Sequence, residues 1–96
     1  MLTPKQKSYL KSLSNPLKAL VIIGKDGLTL NLIESTKVSL KAHELVKISV
    51  LKSCPSDVRE MMLDLCAHTN SEIVNEIGRT FVLYKESEKR KISFPQ

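Results

Sequence analysis

Gly24-Lys25-Asp26-Gly27 is the stretch of this chain best suited to chemistry. It stands between a β-branched apolar run and a segment with helical periodicity. Two glycines let a chain turn with positive φ and let a ligand reach the bare backbone. A helix starting just beyond them adds N–H groups without backbone partners and a partial positive charge. The anion that suits such a corner is phosphate. Lys25 contributes a flexible point charge. Asp26 would repel a phosphate, and its expected use is to cap the helix. The turn lacks the third glycine of a dinucleotide fingerprint and the Lys-Ser/Thr pair of a P-loop, so a nucleotide cofactor is not expected.

Other chemistry-bearing residues are scattered. His43 and His68 are isolated, and with Cys54 and Cys66 they lack zinc spacing. The two cysteines are expected to be free thiols, buried or half-buried. No Ser-His-Asp or Cys-His arrangement is evident, and Glu60 and Asp64 fall on a solvated helix face. We therefore expect no enzyme, no cofactor, no metal and no small-molecule substrate.

The charge is more informative. It is +5 overall, and it is uneven. Residues 1–52 carry nine lysines against Asp26, Glu34 and Glu44, whereas residues 53–96 carry six basic and seven acidic residues. A basic excess gathered in this way attracts nucleic acid or acidic lipid. No apolar run approaches the roughly 20 residues that span a bilayer. The amino terminus has no apolar leader segment, so a cytoplasmic protein is expected. In the KH class of RNA-binding domains a GXXG loop in a similar setting clamps nucleotide backbone. RNA is the expected partner.

The elements that would hold this turn follow from periodicity. Thr3-Pro4-Lys5-Gln6 starts a helix with a capping box, and Ser14-Asn15-Pro16 ends it. Leu20-Val21-Ile22-Ile23 reads as a strand buried on both faces. A second helix is expected from Leu28 or Thr29 to Ala42, with Leu32, Ile33, Thr36 and Leu40 inward. Val46, Ile48 and Val50 alternate with Lys47, Ser49 and Leu51 as a strand. Val58, Met61, Met62, Leu65 and Thr69 mark the inner face of a third helix. Ile73–Ile77 and Thr80–Tyr84, joined by Gly78-Arg79, form an antiparallel hairpin. Glu86 to Gln96 is a charged tail. The order αβαβαββ implies an α/β fold: a two-layer sandwich of helices, on one or both sides, and a four-stranded mixed sheet. At 96 residues a single domain over 1–96 is expected.

The segments Leu2-Thr3-Pro4-Lys5-Gln6-Lys7, Gly24-Lys25-Asp26-Gly27-Leu28-Thr29, His43-Glu44-Leu45-Val46-Lys47-Ile48 and Ile77-Gly78-Arg79-Thr80-Phe81-Val82-Leu83-Tyr84 resemble the bacterial YhbY family. So does the ending Arg90-Lys91-Ile92-Ser93-Phe94-Pro95. This family is the stand-alone form of the chloroplast RNA splicing and ribosome maturation (CRM) domain. The resemblance implies a fold similar to the carboxyl-terminal domain of translation initiation factor three. It also implies binding to precursors of the large ribosomal subunit and a part in ribosome assembly. The family's loop maps onto Gly24, Lys25, Asp26 and Gly27, followed by Leu28 and Thr29. Lys18, Lys47 and Arg79 match positions usually basic in the family. Leu30 and Val38 depart from it by replacing more polar residues. The expected mechanism is phosphate contact by Lys18, Lys25, Lys47 and Arg79, with weaker attraction from Lys5, Lys7, Lys11 and the tail. The alternative is a protein-interaction module that docks on an acidic partner, or inserts the Ile92–Phe94 tail into one.

Overall fold

A computed structural model describes residues 2–94 of the chain. Met1, Pro95 and Gln96 lie outside the described residues, and with them the last position of the Arg90–Pro95 motif. Among the described residues the order is α1 (Pro4–Ser14), β1 (Val21–Ile23), α2 (Leu30–His43), β2 (Leu45–Val50), α3 (Val58–Thr69), β3 (Glu72–Ile77) and β4 (Thr80–Tyr84). This is the expected αβαβαββ chain with a four-stranded mixed sheet.

The starts and stops have local causes. Thr3 and Gln6 exchange the two hydrogen bonds of a capping box at α1. Thr29 Oγ1 accepts from the N–H of Leu32 and caps α2. Helix α2 thus begins at Leu30, one or two residues later than expected, and Thr29 takes the capping role assigned to Asp26. Asn70 ends α3 in the left-handed conformation, one of the few non-glycine residues that adopts it readily.

The sheet order is β1-β2-β4-β3. Only β1 and β2 run parallel; β4 is antiparallel to both its neighbours. Helical crossovers between strands favour parallel neighbours. The hairpin strand β4 overrides that preference by entering between β2 and β3.

One sheet face meets α2 and α3. Its core joins Ile23, Ile48, Phe81 and Leu83 to Ile33, Leu40, Met61 and Leu65. The other face meets α1, where Leu10 packs on Leu45, Val74, Val82 and Tyr84. Helices therefore lie on both sides, and α1 adds a partial third layer to the two-layer sandwich. Because α1 lies over β2 and β3, it does not shelter β1. The expectation that β1 is buried on both faces is corrected accordingly. Val21 and Ile23 are buried, while Ile22 between them is exposed. Cys54 is a buried free thiol and Cys66 a half-buried one.

Candidate nucleic-acid interface

The four-residue turn closes with a hydrogen bond of 3.0 Å from the N–H of Gly27 to the carbonyl of Gly24. Gly27 has φ +64°, a conformation that only glycine takes without cost. Gly24 is different. It needs no positive φ, and a Cβ built there would meet Leu51 Cδ1 at an ordinary 3.7 Å. Lys25, Asp26 and Thr29 are exposed. Leu28 is half-buried against the core, so its backbone is what it can offer a ligand.

The turn occupies the corner where the carboxyl ends of the parallel pair β1 and β2 meet. The N–H of Leu51 donates to Ile23 at 2.8 Å, which fixes that junction. Lys52 follows directly and is exposed. It was not singled out from the sequence, although a parallel pair places both strand ends at one corner, where ligands of such sheets bind.

Arg79 reaches the same corner from the β3–β4 turn. Its Nε donates to the carbonyl of Val50 at 2.9 Å and its Nη2 to that of Leu51 at 2.7 Å. Its own carbonyl accepts from the N–H of Val50 at 2.7 Å. Arg79 therefore clamps the hairpin tip to the end of β2. The rest of its five-donor fork stays at the exposed corner.

Lys18 and Lys47 stand elsewhere, on the face of the sheet that α1 shares. They line one hollow together with Leu17, Leu20 and His43. Lys47 lies four residues from Leu51 along β2, about 13 Å at strand spacing. Lys5, Lys7 and Lys11 are exposed on α1. The structure thus joins Lys25, Lys52 and Arg79 at the glycine corner, pairs Lys18 with Lys47 further along the sheet, and keeps the α1 lysines apart.

As far as Phe94, the tail is committed to the protein itself. Phe94 makes edge contacts with Tyr9 at 6.0 Å and with Tyr84 at 5.9 Å between ring centroids. Ile92 packs beside them. The expectation that the Ile92–Phe94 segment is free to enter a partner is corrected by this packing. Phe81 is fully buried and Tyr84 nearly so. Tyr9 and Phe94 are half-buried and engaged with each other. Burial pushes the Tyr84 hydroxyl above its usual pKa, helped by the charges of Glu44 and Glu86.

Glu44 organises this tail, a role the sequence did not show although the residue lies in the family-like His43–Ile48 segment. It is fully buried at φ +65°, in the one residue between α2 and β2. Its Oε2 accepts from the Ser87 N–H at 2.6 Å and from the Ser87 hydroxyl at 2.7 Å. Its Oε1 accepts from the Ile92 N–H at 2.7 Å. Burial opposes ionisation of this carboxyl. The donors of Ser87, Ile92 and Lys91 outweigh it and hold the pKa below the usual value.

The fold and this corner define a small α/β domain with an exposed glycine turn ringed mainly by cations. Residues 2–85 match the family described as the CRS1 / YhbY (CRM) domain. The chain belongs to that family. It is 41% identical to the probable RNA-binding protein YqeI of Bacillus subtilis (strain 168) over 91 residues, 95% of each chain. It is 32% identical to the probable RNA-binding protein PA4753 of Pseudomonas aeruginosa, covering 92% of this chain and 85% of that one. Among solved structures, hypothetical protein SAV1595 from Staphylococcus aureus superposes with a TM-score of 0.81. It is 40% identical, over 99% of this chain and all of that one.

Proposed function

We propose that this protein binds RNA through the glycine corner, that its target is ribosomal RNA in precursors of the large subunit, and that it assists their assembly without catalysing a reaction. The carrying observation is Gly24. Neither its backbone conformation nor its packing demands glycine. A glycine there leaves the backbone open to close approach by another molecule. Lys25, Lys52 and the outer part of Arg79 surround the spot, with Asp26 as the acid in the turn. The naming of relatives as RNA-binding proteins supports the reading. The ribosomal target rests on the family resemblance of the sequence.

Contact is through phosphates, so binding must release counterions. Four contacts, from Lys18, Lys25, Lys47 and Arg79, give a log–log salt slope of about −3 for single-stranded RNA. Filter binding to large-subunit ribosomal RNA across a salt series measures it. Lys25→Asp should weaken binding and make the slope shallower by about 1. Gradient sedimentation of the same variant should show loss from large-subunit particles with the circular dichroism spectrum unchanged. A flat salt response, or full co-sedimentation of Lys25→Asp, refutes the proposal.

A further inference from the structure

Helix α1 leaves part of its sheet face bare. One bare row crosses all four strands in register: Ile22 beside Ser49, Ser49 beside Thr80, Thr80 beside Ile77. Leu20 adjoins it, its N–H bonded to the carbonyl of Lys47. Leu20 is 57% exposed, Ile22 55% and Ile77 67%. Burying these side chains is favourable, and no element among the described residues covers them.

Two hollows flank Lys47 on this face. One, of about 260 Å³, is bounded by Asn15, Asn75, Ile77 and Thr80. The other, of about 400 Å³, is bounded by Leu17, Lys18, Leu20 and His43. Among the described residues, neither is lined by Asp or Glu. The face is continuous with the glycine corner, because Leu51 at the end of β2 lies against Gly24.

Aliphatic side chains, amide and hydroxyl groups, and lone cations occur here together. A protein partner covering the face would strand Lys47 without a counter-charge unless it brought an acid of its own. A polynucleotide satisfies all three at once. Its base faces are apolar, its base edges donate and accept, and its phosphates are anionic. In a duplex the base faces are stacked away, leaving mainly backbone and shape to be read.

We propose that unpaired nucleotides lie on this open half of the sheet, with bases against Leu20, Ile22 and Ile77 and a phosphate at Lys47. The proposal rests on the RNA-binding reading of the glycine corner and names the substrate class: single-stranded RNA. Among the described residues no aromatic ring lines either hollow, so the base contact is aliphatic and tolerant of sequence.

Fluorescence anisotropy at fixed low salt tests it with three ligands. These are a labelled RNA oligomer of about ten nucleotides, the same oligomer with its central bases removed but its phosphates kept, and its duplex. We expect the intact single strand to bind about ten-fold more tightly than the duplex and about five-fold more tightly than the abasic strand. Ile22→Ser with Ile77→Ser should erase both advantages, while Lys25→Asp should weaken all three ligands. Both isoleucines are exposed, and circular dichroism checks the fold; if Ile22→Ser disturbs β1, Ile77→Ser alone should halve the advantage or more. Equal binding of intact and abasic strands overturns the platform, and persistence of the Lys25→Asp effect then leaves the corner standing. Absence of binding to every oligomer overturns both. Sedimentation velocity that shows a dimer dispersed by Ile22→Ser overturns the platform in favour of a second copy.

Discussion

Glu44→Gln keeps the shape of a buried side chain and removes its charge. The carboxylate accepts two hydrogen bonds from Ser87 at one oxygen and one from Ile92 at the other. An amide offers a single oxygen. If that oxygen faces Ser87, the NH₂ meets the N–H of Ile92; if the amide flips, it meets the N–H of Ser87. One donor is stranded either way. A stranded buried donor costs about 1–3 kcal/mol, and weakening the remaining bonds from charged to neutral adds about 1 kcal/mol. The expected loss is therefore about 2–4 kcal/mol, a large share of the stability of a small domain. At about 4–8 °C per kcal/mol, Tm should fall by at least roughly 8 °C.

The same substitution should change the acid limb. The folded pKa of Glu44 is lowered, so its contribution is fully present above the unfolded value near 4.5 and is lost as pH falls through the folded one. The gap between wild type and Glu44→Gln should thus be constant at neutral pH and shrink below about pH 4.5. Urea unfolding at several pH values gives both quantities, and amide exchange at Ile92 reports the tail directly. Stability within 0.5 kcal/mol of wild type (roughly the scatter of neutral surface changes), with the Ile92 amide still protected, would refute the reasoning.

Thr29→Ala removes the cap of α2 and should cost about 1 kcal/mol in urea unfolding. Arg79→Lys keeps the charge but loses the two-carbonyl clamp on Val50 and Leu51. It should cost about 1–2 kcal/mol and speed amide exchange at Val50, which bonds to the Arg79 carbonyl.

Much of the fold was legible because local and long-range signals agreed. Thr3 and Gln6 announced α1, the i, i+3, i+4 spacing of Val58, Met61, Met62 and Leu65 announced α3, and Gly78-Arg79 announced the hairpin. Strand β1 misled because a short apolar run has no period, and whether a helix covers both faces depends on where α1 lies. The place of β4 between β2 and β3 follows from packing, which no single strand encodes. The glycine turn was visible because its chemistry is contiguous. Lys52 became relevant only once β1 and β2 were parallel. Arg79 was legible as a cation but not as a clamp, since its acceptors lie 28 and 29 residues away. Glu44 stood in a family-like segment, but its role was hidden. In sequence it is one more surface acid, and only its single-residue joint between helix and strand sends the carboxylate inward.

The central position of β4 also governs how the chain can be made. Strand β2 has β1 on one side and waits for Thr80–Tyr84 on the other, while β3, among the described residues, has no neighbour but β4. During synthesis the early strands therefore emerge with a bare edge, the kind that invites pairing with a stranger. Most of the sheet snaps shut late, when one five-residue segment slides into the gap. A nascent chain stalled before Thr80 would expose both the unfinished edge of β2 and the hydrophobic faces meant for Phe81 and Leu83.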